Sequence, residues 1–365
     1  MNKKIIIIIL FFLLLPLISL AQEKPDSVFY AKAFVKGIKE TRIEEEITGI
    51  KQITYKQEVI LKILSGELKD REFTFINEIT NNPLDIKLSQ GDKIIVNIEK
   101  YKDQEYKIFI VDYYRLPGLA ALIIIFLLFL IIIGGRQGFK TVLSLIFSIF
   151  LIFYILIPQI LTGSNPLILA FFISIFITLI ALFFISGWQK KTLIAILGTL
   201  GGLIIAVLIS FLFTKLTYLT GLSTEEARTL FYKYPEIDPR GVFFSGIIIA
   251  ALGAVMDVAM SIASSLNEIK SATQKISFAK LFKAGIQVGK DIMGTMSNTL
   301  IFAYVGVSLP LLLLYKDFGS TYRNFINLNF VADEIIRSIG GSIGLIAVIP
   351  ITALIGAFLY TKDKK

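Results

Sequence analysis

Apolar residues run almost unbroken through seven stretches of the chain, near residues 116 to 134, 138 to 161, 165 to 187, 192 to 222, 241 to 267, 291 to 315 and 331 to 361. Each is close to or above the ~20 residues that a helix needs to cross a bilayer. The pattern predicts an α-helical multi-spanning membrane protein with about seven transmembrane helices. Residues 22 to 115 follow another period. Alternating or β-branched runs such as ITYKQEVILKIL (53 to 64), REFTFINEI (71 to 79), DKIIVNIE (92 to 99) and EYKIFIVDYY (105 to 114) read as strands. Ser65-Gly66, Asn81-Asn82-Pro83 and Gly91-Asp92 supply the turns between them. Four or five short strands in this length suit a small all-β barrel or sandwich. At the start, Lys3 and Lys4 precede an apolar run from Ile5 to Leu20 that ends in Ser19-Leu20-Ala21. Residues 1 to 21 therefore read as a signal peptide, with an uncleaved anchor helix as the alternative.

Composition narrows the chemistry. The chain of 365 residues is 55% hydrophobic and 18% charged, with a mean hydropathy of +0.74 and neither cysteine nor histidine. That removes disulfides, iron-sulfur clusters, Cys/His zinc sites and histidine-based triads or proton relays, so no metal and no cofactor is expected. The net charge of +9 does not point to nucleic acid. Residues 22 to 115 carry 16 Lys and Arg against 17 Asp and Glu, while residues 116 to 365 carry 19 against 11, an excess held mostly in short loops. Arg136 and Lys140, Lys190 and Lys191, the lysines from 270 to 290, and Lys362, Lys364 and Lys365 fall in alternate loops and the tail. By the positive-inside rule these are cytoplasmic, which puts the β domain outside and the C-terminus inside a bacterial cytoplasmic membrane. The lipid bilayer is the implied partner. The β domain carries no catalytic constellation and is a candidate surface for an envelope protein.

One charge stands deep within the apolar stretches. Asp257 lies in ALGAVMDVAMSIASSLNEI, and a carboxylate there costs about 2.5–3.5 kcal/mol to place, so it is expected to face a cavity or a partner. At 100° per residue, Gly246, Ala250, Gly253, Asp257, Ser261, Ser264 and Glu268 form one stripe. On the next span, Asp291, Gly294, Thr295 and Asn298 share a face. Asn298 lies about 10 Å from the membrane boundary and Asp257 about 13 Å from it. Thr199 and Thr352 fall at similar depth, which predicts a polar cluster shared by four helices, with Pro350 breaking the seventh helix beside it. Asp257, Ser261, Thr295 and Asn298 are the candidate site for an ion, a proton or a solute, supported by Thr199, Ser264, Glu268, Asp291, Pro350 and Thr352. The alternative is a protonated aspartate that only locks helix packing. Glycine concentrates in the last four spans, where Gly246, Gly253, Gly294, Gly340 and Gly344 are expected to let helices approach closely.

Other positions read locally. Glu334 and Arg337 form a helix pair three residues apart. Glu225 and Glu226 look like the first turn of a helix. Residues 278 to 286 suggest an amphipathic helix lying on the membrane surface. Glu44, Glu45 and Glu46 suggest a solvated loop.

ALGAVMDVAMSIASSLNEI, GKDIMGTMSNTLIFAYVG and SIGGSIGLIAVIPITALIG resemble the strongest blocks of the YibE/F-like family of bacterial membrane proteins. The order of parts, a hydrophobic leader, an outer β domain and a multi-spanning domain, is similar too. The resemblance implies an integral membrane protein of permease type and names no substrate. Two function classes follow: an ion- or proton-coupled transporter, and a non-transporting scaffold or assembly protein that binds an envelope partner. An intramembrane aspartyl protease fits less well, since Asp291 sits at a helix end and a GxGD motif is lacking. No ATP-binding P-loop is present, and the solute and oligomeric state are not encoded in any motif.

Overall fold

The structure is a computed structural model that describes residues 27–47, 50–80, 82–101, 106–317 and 322–362. The expected signal peptide, residues 1–21, lies outside these. Contacts divide the chain into two units, one up to Ile125 and one from Phe126 onward.

In the first unit the strands are β1 (Ser27–Ile47), β2 (Ile50–Ile63), β3 (Glu72–Ile79), β4 (Lys93–Lys100) and β5 (Tyr106–Tyr113). They form one antiparallel sheet in the order β3-β2-β1-β4-β5. Alternation decides its faces. Val35, Val59, Leu61, Ile94 and Val96 all point inward and are fully buried. The sheet curls until Phe73 on one edge strand meets Tyr106 on the other, edge to face at 5.9 Å between ring centres. A curled, staggered sheet of this kind is a partly closed barrel. Among the described residues one polar side chain is fully buried inside it. Gln57 is satisfied on all sides, donating to Glu40 (2.9 Å) and the Leu88 carbonyl (3.0 Å) and accepting from the Leu88 amide and Asn77 (both 3.1 Å). The acidic run at 44–46 is the far half of β1, paired with residues 51–53, and not the expected loop.

The second part is helical: α1 (Leu116–Leu151), a π-helical turn (Ile152–Leu156), α2 (Ile157–Leu161), α3 (Pro166–Ser186), α4 (Lys190–Leu216), α5 (Glu225–Lys233), α6 (Pro239–Ala272), α7 (Phe278–Val307), α8 (Leu309–Asp317), α9 (Tyr322–Ile326) and α10 (Asn329–Lys362). Among the described residues five stretches are long and apolar enough to cross a membrane: Leu116–Leu161, Pro166–Ser186, Lys190–Leu216, Pro239–Ala272 and Asn329–Lys362. The first, of 46 residues, is broken at Gly135 (φ 53°, ψ −129°), between the first and second expected spans. There a Cβ on Gly138 would stand 1.8 Å from the Leu130 carbonyl oxygen, so only glycine lets the two arms fold together. The expected span 291–315 falls on α7 and α8, which part at Ser308, two residues before Pro310. Asn165, Thr224 and Asp238 cap α3, α5 and α6 by accepting backbone amides, and Glu225 and Glu226 do occupy a first helical turn.

The tightest packing lies between α4 and α10, which run antiparallel. A Cβ on Gly344 would stand 2.6 Å from Ala206 Cβ and 2.9 Å from the Gly202 carbonyl, and one on Gly340 would stand 2.1 Å from Ser210 Oγ. Small residues at every fourth position of α4 (Gly198, Gly202, Ala206, Ser210) thus bring two backbones into contact, the form that helix association takes in lipid. Gly340 and Gly344 lie in this seam. Gly246, Gly253 and Gly294 do not, since a Cβ at any of them meets no atom within 4 Å. The amphipathic segment also differs from expectation. It is the first part of α7, and its apolar side is spent inside the bundle: Leu281 is fully buried and Gly285 is pressed on Ala353 and Leu266. Pro350 leaves α10 continuous and sits on its exposed side, away from the buried Thr352.

Candidate functional site

Asp257 stands near the middle of α6, where the sequence put it, but on the side that faces away from the neighbouring helices. Val255 points at Gly202 of α4. Two residues on, Asp257 is rotated about 200° from it. The whole stripe follows: Ala250, Gly253, Asp257, Ser261 and Glu268 are exposed, Gly246 and Ser264 half-buried, while Val258, Ala259, Ile262 and Leu266 fill the opposite face. Among the described residues the Asp257 carboxylate has no hydrogen-bond or ion-pair partner. On α7, Thr295 and Asn298 are also exposed; Thr295 donates to its own helix at the Ile292 carbonyl (3.0 Å), and Asp291 accepts from Gln287 (3.0 Å).

The expected four-helix polar cluster is therefore not assembled. Thr199 and Thr352 are fully buried. Thr199 donates to the Ala195 carbonyl (2.8 Å), and Thr352 stands against Gly198 with its hydroxyl unpartnered. Asp257 and Asn298 are both exposed, whereas Thr199 and Thr352 are enclosed. Depth along a helix follows from residue count, whereas direction depends on which faces the neighbours cover.

A second polar group escaped the sequence reading. Asp333, in the first turns of α10, is buried, and one of its carboxylate oxygens accepts the hydroxyl of Ser223, 110 residues earlier. Its other oxygen has no partner. Arg337, one turn further, lies over the Phe243 ring at 5.3 Å, with its Nε unpartnered. Tyr304 of α7 and Glu334 lie within electrostatic range of Arg337, and the Tyr304 hydroxyl is again buried and unpartnered. The expected Glu334 and Arg337 pair does not close as an ion pair among the described residues; the two act on each other only electrostatically, within a larger constellation. Arg228 ties the same region together by donating to the Leu222 and Ser223 carbonyls (2.9 and 3.2 Å). The signal for Asp333 was slight, an acid one helical turn ahead of an arginine, and it reads equally as ordinary helix-start chemistry.

Unpartnered buried polar atoms recur along the same helices. Ser210 and Thr214 of α4, Ser297 and Tyr304 of α7, and Asp333, Arg337 and Thr352 of α10 all carry one. In hydrocarbon each such atom costs several kcal/mol unless water, an ion or a solute satisfies it.

Two family models match the sequence. That of the YibE/F-like protein covers residues 122–362, and that of the YibE/F family N-terminal domain covers residues 30–113. The chain belongs to the YibE/F-like family. No curated protein and no solved structure matches it. In this YibE/F-like membrane protein, then, the matched regions hold the β unit with its edge strands, the exposed Asp257 stripe and the Asp333 constellation. Among the described residues no group of three or more carboxylates is arranged to hold a metal ion.

Proposed function

We propose that this protein is a permease of the bacterial cytoplasmic membrane, moving a small polar or ionic solute along α4, α7 and α10 and coupled to a proton or a cation. The observation that carries this reading is the set of buried polar atoms without partners on those three helices. A purely structural bundle gains nothing from them and bears their desolvation cost. On this reading Asp333, Glu334, Arg337 and Tyr304 form the entrance, on the side that the charge of the loops assigns to the outside. Thr352 marks the path toward the inner side. Asp257 with Ser261 on α6, and Thr295 with Asn298 on α7, stay open to whatever adjoins the bundle, and Asp257 is the carboxylate best suited to carry the coupling charge.

The test is ion flux into proteoliposomes holding the purified protein, read with a pH-sensitive dye under imposed proton and sodium gradients. Asp257→Asn and Asp333→Asn are each expected to abolish flux while abundance and thermal stability persist. A wild-type protein that passes no ion under any gradient, or variants that lose flux and stability in parallel, would sink the proposal. The second reading, a scaffold that binds an envelope partner, draws its support from the open edge of the β unit.

A further inference from the structure

A five-stranded sheet has two edges, and here both face one gap. β3 and β5 are each antiparallel to a neighbour that is antiparallel to β1, so the two edge strands run parallel to each other. Between them is a cleft of about 330 Å³, lined by residues 75–78 of β3, 84–86 of the loop that follows it and 108–111 of β5. One end is closed by the contact of Phe73 with Tyr106. Residues 86–88 strap the other, where the Ile86 carbonyl accepts from Asn77 (2.9 Å) and the Lys87 carbonyl from Tyr113 (2.5 Å). Phe75 and Ile108 point into the barrel but are only half-buried, in contrast to the fully buried Val59 and Ile98 beside them on β2 and β4. On the outer face Ile76 is 65%, Phe109 49% and Val111 45% exposed. Natural sheets blunt their free edges with charge, proline or a bulge. β5 has a bulge at Val111 and β3 carries Glu78, but Ile76 and Phe109 leave both edges apolar at their centres.

We infer that the cleft takes one extended segment of a second protein, which runs antiparallel to β3 and β5 and completes a six-stranded barrel. A strand in that direction can hydrogen-bond both edges at once, so its main chain supplies affinity and its alternate side chains meet the half-buried row below and the exposed row above. The rim sets its charge. Asp85 lines the cleft, accepts from the Thr80 amide (2.6 Å) and hydroxyl (2.7 Å), and has no cationic partner among the described residues. The segment is therefore apolar at alternate positions and basic where it passes Asp85. This inference does not depend on the transport reading, because it uses only the β unit and its test measures no flux.

The full-length protein in nanodiscs is titrated with a fluorescein-labelled synthetic peptide of alternating valine and threonine bearing one lysine, and with the same peptide N-methylated at alternate residues. Saturable binding is expected, with amide exchange slowed in residues 75–78 and 108–111. Methylation, or Ile76→Lys with Phe109→Lys, should weaken binding at least about tenfold, since each removes strand pairing or apolar contact. Asp85→Asn should weaken binding of the lysine-bearing peptide and leave unchanged that of a control with threonine in place of the lysine. Ile76 and Phe109 are exposed, so an unchanged melting temperature confirms that the variants still fold. Absence of saturable binding, or equal binding of the methylated peptide, overturns the inference. So does a photo-crosslinking residue at position 109 that reacts in membranes with a second copy of this chain, because the cleft is then a self-association surface.

Discussion

Thr352 occupies the space that a side chain at Gly198 would need. A Cβ on Gly198 would stand 2.1 Å from Thr352 Oγ1 and 3.0 Å from its Cβ, so the contact fixes how near α4 and α10 approach at this level. Gly198→Ala is expected to destabilise the protein by roughly 1–3 kcal/mol through overpacking. Adding Thr352→Ala should recover part of that loss, which thermal unfolding of the two single variants and the double variant in detergent would measure. Thr352→Val keeps the shape and removes an unpartnered hydroxyl, so it should be neutral or slightly stabilising.

Glycine matters in the α4–α10 seam and not on the open stripe of α6. Gly344→Leu should abolish the folded bundle, because even its Cβ would lie 2.9 Å from the Gly202 carbonyl. Gly253→Leu should leave melting temperature and yield near wild type. A loss of folding at Gly253 equal to that at Gly344 would show that a partner covers the stripe.

Asp257 is expected to cost stability in return for function. Its carboxylate has no partner among the described residues, so Asp257→Leu should raise the unfolding free energy by up to about 3 kcal/mol. The same variant should eliminate coupled flux. A lowered melting temperature would mean that the aspartate is paired in the assembled protein.

The bond from Ser223 to Asp333 ties a connecting segment to a spanning helix. Ser223→Ala leaves the buried carboxylate without its one hydrogen bond and should cost about 1–3 kcal/mol. Hydrogen exchange should then quicken at residues 217–224. Unchanged protection there would show that Arg228 alone holds the segment.

Acid should loosen the β unit. The amide of Gln57 and then Lys87 hold the Glu40 carboxyl below its ordinary range, the Lys62 ammonium does so for Asp70, the Thr80 hydroxyl and amide for Asp85, and the Arg115 guanidinium for Asp112. A carboxyl lowered in the folded state favours folding wherever it is ionised. That contribution is complete above the ordinary carboxylate range and is lost as pH falls through the lowered values. Urea unfolding of the strand signal across this fall in pH would show the decline, and Thr80→Val should reduce it.

Much of the architecture is legible in the sequence. Apolar length marked the spanning helices, and α6 and α10 extend only a few residues beyond the expected 241–267 and 331–361. Alternation marked β2 to β5, because a half-buried strand writes its period into its residues. The sequence also placed Asp257 near the middle of its helix, since position along a helix is residue count times rise. The tertiary structure alone decided direction and partnership. Asp257 turned outward because Val255 and its row already filled the side toward α4, and no residue count encodes that choice. Asp333 looked like any acid at a helix start until Ser223, from a distant segment, closed over it. Likewise, alternation within β3 and β5 identified two strands, but not that curling would bring their free edges to one cleft. Local periodicity sets which face of an element is apolar; which neighbour covers that face is settled by packing between segments far apart in the chain.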